Sequence, residues 1–371
     1  MTLVGALAGA PPPVVGRVVV ALPDGTRPVD VPAALRALAR YLPADALGLI
    51  GLGLHRPMRA DELPASPIPL AQSDPDRFVP TRDVDGIRGT VDRRVAEADC
   101  VLGVGIVELH QYAGYSGGHK AVAVGCAGRP TLDDLHHRDR VTARGVEIGR
   151  IGGNPFRAAV DALGEAAGTR WCLLQAGDQW FAGEPRETLR RAAASLDCWW
   201  DVPGRHAAAV LRVPARKAVN FYQASRAATY IGLSPDPPLL PGATLYLDAA
   251  CPEGMGEGSG EQAFAALLRA GVPPWGSLLT GAAPDGAGTQ RAVMIALLLQ
   301  RYRLVVCGTT QAAALRACGI DATALPAEAV APPGALCVDD PFGKLPRWVG
   351  DAADVSTTRS RRPACDPSPT R

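Results

Sequence analysis

Residues 96–120 read AEADCVLGVGIVELHQYAGYSGGHK, and the fold turns on how this stretch is taken. Cys100 to Leu109 is a nearly unbroken apolar run, the pattern of a strand buried on both faces in a parallel sheet. It leads directly into His110–Lys120, which holds two histidines, a lysine, a serine and three glycines. In open α/β sheets, ligands gather beyond the carboxyl ends of strands. The loop therefore stands where such a protein keeps its chemistry.

The same rhythm extends both ways. Strands are expected at 17–22 (RVVVAL), at 46–54 running into His55, and at 169–177. Helices are expected at 31–42 behind Asp30, at 91–99, at 154–168 with Pro155 near its start, and at 184–196. Residues 201–218, DVPGRHAAAVLRVPARKA, read as a linker. Beyond it the alternation restarts, with helices at 220–233, 260–271, 288–302 and 309–319 and strands at 244–251, 303–308 and 335–340. The pattern predicts an α/β protein of two α/β domains with mainly parallel sheets. The domains are expected at 1–205 and 206–345, with a polar, Pro-rich tail at 346–371 that should be disordered.

Composition narrows the function classes. The 371 residues carry 38 basic and 37 acidic side chains, a net charge of +1, which gives no basic footprint for nucleic acid or a membrane surface. No apolar run reaches membrane-spanning length, and the N-terminus lacks the basic region of a signal peptide. Nine cysteines occur without a CxxC pair. Most sit in apolar runs, so they are expected to be reduced and buried in a cytoplasmic protein.

Of six histidines, His55, His110 and the pair His136/His137 lie at or just past apolar segments. The loop is not a P-loop, since GxxxxGK[ST] is absent, and GLGLHR (51–56) and GVGIVE (103–108) fail GxGxxG. Gly114, Gly117 and Gly118 would still let backbone amides approach an anion, with Ser116 as a further donor. Lys120 could pair with a phosphate or, if desolvated, act as a nucleophile. In PDGTRP (23–28), Asp24 and Gly25 turn the chain and Arg27 can fork onto an anion. Tyr222 and Gln223 open a helix that places Arg226 one turn further on. These residues leave a phosphate cradle, a metal site and a catalytic loop all open.

Five stretches in order resemble one family. They are DGTRP at 24–28, GLHRPMRADEL at 53–63, the quoted 96–120, His136–His137, and YQASRA at 222–227. The chain resembles the nickel-pincer-nucleotide lactate racemases and their 2-hydroxyacid racemase and epimerase relatives, from about residue 17 to about 345. The resemblance implies an active site in the cleft between the domains, the first binding cofactor and the second closing over substrate. It implies that Lys120 carries the nickel-pincer nucleotide (pyridinium-3,5-bisthiocarboxylic acid mononucleotide nickel) through a thioamide. His136 would ligate nickel, favoured over His137 by its sixteen-residue step from Lys120. His55 and His110 would be the paired acid/base residues. Asp24, Arg27, Ser116, Gly117 and Gly118 would hold the cofactor's phosphate end, and Tyr222, Gln223 and Arg226 the substrate.

The implied reaction is racemisation or epimerisation of a 2-hydroxy acid by reversible hydride transfer to the cofactor through a 2-keto acid. Two histidines near their working pKa could serve both enantiomers. The implied partners are that small acid and, in passing, the cofactor-making proteins, with no nucleic acid or membrane. Arg226 stands where the lactate enzymes tend to have lysine, and Arg291 near where an aromatic residue is common. Two arginines suit a substrate bulkier or more anionic than lactate. The competing readings are a nucleotide- or phosphate-binding protein of the same fold without nickel, and a zinc hydrolase. The zinc hydrolase is disfavoured by the lack of HExxH or HxH.

Overall fold

The computed structural model describes residues 1–270, 276–280, 286 and 288–351. The first half of the chain forms β1 (Val18–Pro23), β2 (Leu47–Gly51), β3 (Leu70–Gln72), β4 (Phe78–Pro80), β5 (Thr90–Asp92), β6 (Cys100–Ile106), β7 (Leu109–His110), β8 (Gly114–Tyr115), β9 (Thr169–Ala176) and β10 (Gln179–Gly183). Six of them build one sheet in the order β10-β9-β6-β1-β2-β3. Its neighbours run parallel except β10, which pairs antiparallel with β9. β6 is buried at every position, which is why its sequence is an unbroken apolar run. The chain lays down β1, β2 and β3 in one direction, then returns to the other side of β1 for β6 and β9. That reversal opens a crevice beyond the carboxyl ends of β1 and β6.

The second half forms β11 (Trp199–Val202), β12 (His206–Arg212), β13 (Leu239–Asp248), β14 (Arg303–Cys307), β15 (Asp321–Ala322), β16 (Leu336–Val338) and β17 (Leu345–Trp348). Its sheet, β15-β14-β13-β12-β16, is parallel throughout. β11 and β17 make a separate parallel ribbon, closed by an Arg347–Asp201 ion pair at 2.6 Å. One buried apolar cluster spans both halves, joining Leu109, Tyr115 and Leu174 to Phe221, Tyr222 and Leu345.

Three boundaries differ from the sequence reading. Residues 201–218 are not mainly linker, because they include the end of β11 and all of β12, the latter packed between β13 and β16. Residues 91–99 begin in β5, and the helix is only Arg93–Ala96, because the Asp92 side chain caps it by accepting from the Arg94 amide. Residues 346–348, assigned to the tail, belong to β17, while the tail from 352 on lies outside the described residues. The described cysteines are buried except Cys337, and Cys365 lies outside the described residues. No helix among the described residues is long and apolar enough to cross a membrane.

Candidate active site

The loop after β6 is held by its own small residues. Gly114 has φ +72°, and a Cβ there would stand 1.9 Å from the Arg150 carbonyl oxygen, so only glycine fits. The Ser116 hydroxyl donates to the Ile106 carbonyl at 2.6 Å and accepts the Glu108 amide at 2.9 Å, stitching the loop to the strand end. Lys120 then leads into a π-helical turn, Ala121–Gly125. Such turns recur at functional sites. The end of β2 presses on this turn: a Cβ on Gly51 would lie 2.7 Å from the Gly125 carbonyl carbon.

These elements wall a pocket with about 980 Å³ of empty space, part of it open to solvent. The first half contributes the ends of β1, β2 and β6 with Asp24, Arg27, His55, His110, Lys120 and His136. The second half contributes Tyr222, Arg226, Tyr230, Gln290 and Arg291. Ser116 and Gly117 also line it. Gln223 reaches it through His55. Gly118 does not line it: a Cβ there would face Pro185 and Leu189 instead.

His55 is gripped from both ends. Nδ1 hydrogen-bonds to Asp24, and Nε2 accepts from Gln223 Nε2 at 2.8 Å. With Nε2 accepting, the ring proton sits on Nδ1 and is donated to the carboxylate. Burial opposes ionisation of Asp24, but His55, Thr26 and Arg27 together hold its pKa well below the usual carboxylate range. The carboxylate expected at the cofactor's phosphate is therefore engaged in orienting a histidine. The Oε1 of buried Gln223 has no partner among the described residues.

His110 is held differently. Its Nδ1 accepts the amides of Ala113 at 3.1 Å and Tyr112 at 3.3 Å, so the ring proton is on Nε2. Burial, then the charges of Lys120, Arg27 and Arg226, push its pKa well below the usual value.

The adjacent histidines separate cleanly. His136 is buried in the pocket wall, its Nδ1–H donating to the Leu132 carbonyl at 2.9 Å, which leaves the Nε2 lone pair free. The rings of Tyr112 and Phe156 meet it edge-on. Its pKa falls to about 4 through burial. His137 points elsewhere and caps the next helix, accepting the Asp139 amide. His119 is structural: it hydrogen-bonds at 3.1 Å to Asp161, which also pairs with Arg157.

Lys120 stands among other cations at the site. Burial, then Arg27, Arg226 and Arg157, drive its pKa far below the ordinary lysine value. Arg27 meets Glu108 at 3.4 Å, and Lys217, buried behind it, meets the same carboxylate at 3.5 Å. Glu108, Lys217, Gln290 and Tyr230 were not picked out from the sequence. Tyr230 was legible, since Tyr222, Arg226 and Tyr230 recur every fourth residue on one helix face. Lys217 had a compositional signal too: it is one of three lysines among 38 basic residues.

Residues 73–147 match the family model described as the lactate racemase N-terminal domain. The whole structure superposes on the lactate racemase apoprotein from Thermoanaerobacterium thermosaccharolyticum with a TM-score of 0.76, at 16% identity, covering 94% of this chain and 93% of that one. This is the lactate racemase fold. A protein from Thermotoga maritima shares it, with a TM-score of 0.71 at 17% identity over 94% of this chain and 96% of that one. No curated protein matches the sequence significantly.

Among the described residues, no three His, Cys, Asp or Glu side chains converge as a metal site. In this lactate racemase fold the pocket holds a free imidazole nitrogen, His136 Nε2, within reach of the Lys120 charge. One nitrogen cannot build a coordination sphere, so a metal held here would have to bring its other ligands.

Proposed function

We propose that the protein is an isomerase, a racemase or epimerase of 2-hydroxy acids, working with a nickel-pincer nucleotide on Lys120. The observation that carries this reading is the convergence of His55, His110, His136 and a desolvated Lys120 on one pocket. Lys120 would hold the cofactor covalently, because a neutral amine can attack where an ammonium cannot. His136 would ligate nickel through Nε2, and Arg27 would meet the phosphate. When bound, the cofactor supplies a reversible hydride acceptor for the substrate's Cα–H.

The remaining work falls to the protein. Arg226 fixes the substrate carboxylate with a guanidinium. His55 takes the hydroxyl proton on Nε2, the substrate hydroxyl first displacing the Gln223 amide from that lone pair, while the Asp24 carboxylate backs Nδ1–H as the alcohol becomes a ketone. His110 faces the pocket from the loop and presents Nε2–H to the second side, where it donates to the substrate.

The test is co-expression with cofactor-making proteins, intact mass, and chiral chromatography of single 2-hydroxy acid enantiomers. An adduct on Lys120 with interconversion is the expected result. A chain that stays unmodified and nickel-free while binding nucleotide or phosphate would instead identify the phosphate-binding alternative.

A further inference from the structure

Two guanidiniums enter the second-half side of the pocket without an acidic partner. Arg226 lies over the Tyr222 ring, its guanidinium carbon 5.5 Å from the centroid. Arg291, on the helix Thr289–Leu299, is only 2% exposed and also lines the pocket. It donates to Thr229 Oγ1 at 2.5 Å and to Gln111 Oε1 at 3.2 Å, both neutral, and its Nε is buried with no hydrogen-bond partner. Among the described residues neither arginine forms an ion pair with a carboxylate. The buried Arg157 and Lys217 do: Arg157 has Asp161, and Lys217 has Glu108. Tyrosines 112 and 222 supply no charge either, since burial raises both hydroxyls above their ordinary pKa.

A buried, unpaired guanidinium is costly unless an anion arrives with the ligand. One carboxylate can satisfy Arg226. Arg291 then calls for a second negative group, in the part of the pocket where Gln111, Arg226 and Arg291 meet. Arg226 is close enough to His110 and His136 for its charge to act on both, so the first carboxylate lies beside the reacting centre. We infer that the substrate is a 2-hydroxy acid with a second carboxylate, and that Arg291 is the residue that selects it. This rests on the racemase reading for the reaction but not for the binding.

The test uses cofactor-loaded protein. Calorimetric binding and chiral turnover are measured with malate, 2-hydroxyglutarate and lactate, and with inorganic phosphate as a control. Dicarboxylates should bind at least about tenfold more tightly than lactate, the scale of one charge-assisted hydrogen-bond pair. Arg291→Gln should collapse that ratio towards one, and Arg291→Lys should restore part of it. Equal binding of lactate and the dicarboxylates overturns the inference, as does a ratio unchanged in Arg291→Gln. Loss of phosphate binding in Arg291→Gln without any dicarboxylate preference also overturns it, since the arginine would then serve the cofactor. Should Arg291→Gln fail to fold, the parent protein's own preference decides. Selective binding of dicarboxylates with no racemisation would sink the racemase reading and leave this one standing. Racemisation of lactate in preference to both dicarboxylates would do the reverse.

Discussion

Asp24 shows what a single residue contributes once its surroundings are known. The turn that carries it was readable, but its partner was not, because His55 is 31 residues away and reaches it only through the adjacency of β1 and β2. Asp24→Asn can offer an amide N–H to Nδ1 and so favour the wrong tautomer. We expect kcat to fall by about 10²-fold or more, with KM changed far less, in steady-state assays of the loaded enzyme. His136 and His137 are adjacent in sequence and face apart in space. His136→Ala should lose nickel by elemental analysis while His137→Ala retains it. Equal retention in both would reject His136 as the ligand. Lys217 gives a pH signature. Burial, opposed by Glu108 and reinforced by Arg27, lowers its pKa to about 7, while an unfolded lysine stays near 10.4. The unfolded chain then binds more protons between those values. The group's contribution to stability is thus full above the upper value and lost as pH falls towards the lower. Urea unfolding should therefore show Lys217→Met gaining on the parent as pH falls from 10 to 7, by up to about 1.4 kcal/mol per pH unit.

At the scale of elements, the sequence told most where one element meets solvent or a cap, and least where two backbones meet. The helix behind Asp30 was legible because its side-chain oxygen satisfies a free amide of the first turn, and the one after Asn154 because Pro155 suits a helix start; the structure adds Asn154 and Asn220 as caps of the same kind. The π-helical turn after Lys120 was not, since no local pattern encodes an extra residue in a turn. What shapes it is Gly51, whose missing Cβ lets β2 close against Gly125. Gly51→Ala should push the turn off the strand end, costing about 1–3 kcal/mol by overpacking. Denaturant unfolding measures the cost, and the extent of Lys120 modification on co-expression should fall with it. An unchanged midpoint would mean the contact is not tight. The linker expected at 201–218 failed for a related reason: prolines and arginines flank β12 closely enough to mask a strand buried by its neighbours.

For the whole molecule, the alternation of strand and helix foretold two parallel sheets, whereas the way they join was beyond any local signal. Joining depends on pairs far apart in sequence, such as Thr229 with Gln111 and Arg56 with Glu253. Because one apolar cluster spans both halves, calorimetric melting should give a single cooperative transition, and two resolved transitions would contradict the shared core. The β11–β17 ribbon also ties the start of the second half to its end. β11 is laid down before the second sheet and β17 after it, and the two are zipped side by side in parallel. The second sheet is therefore enclosed by one clasp, and a chain cut before β17 would leave β11 with a bare edge.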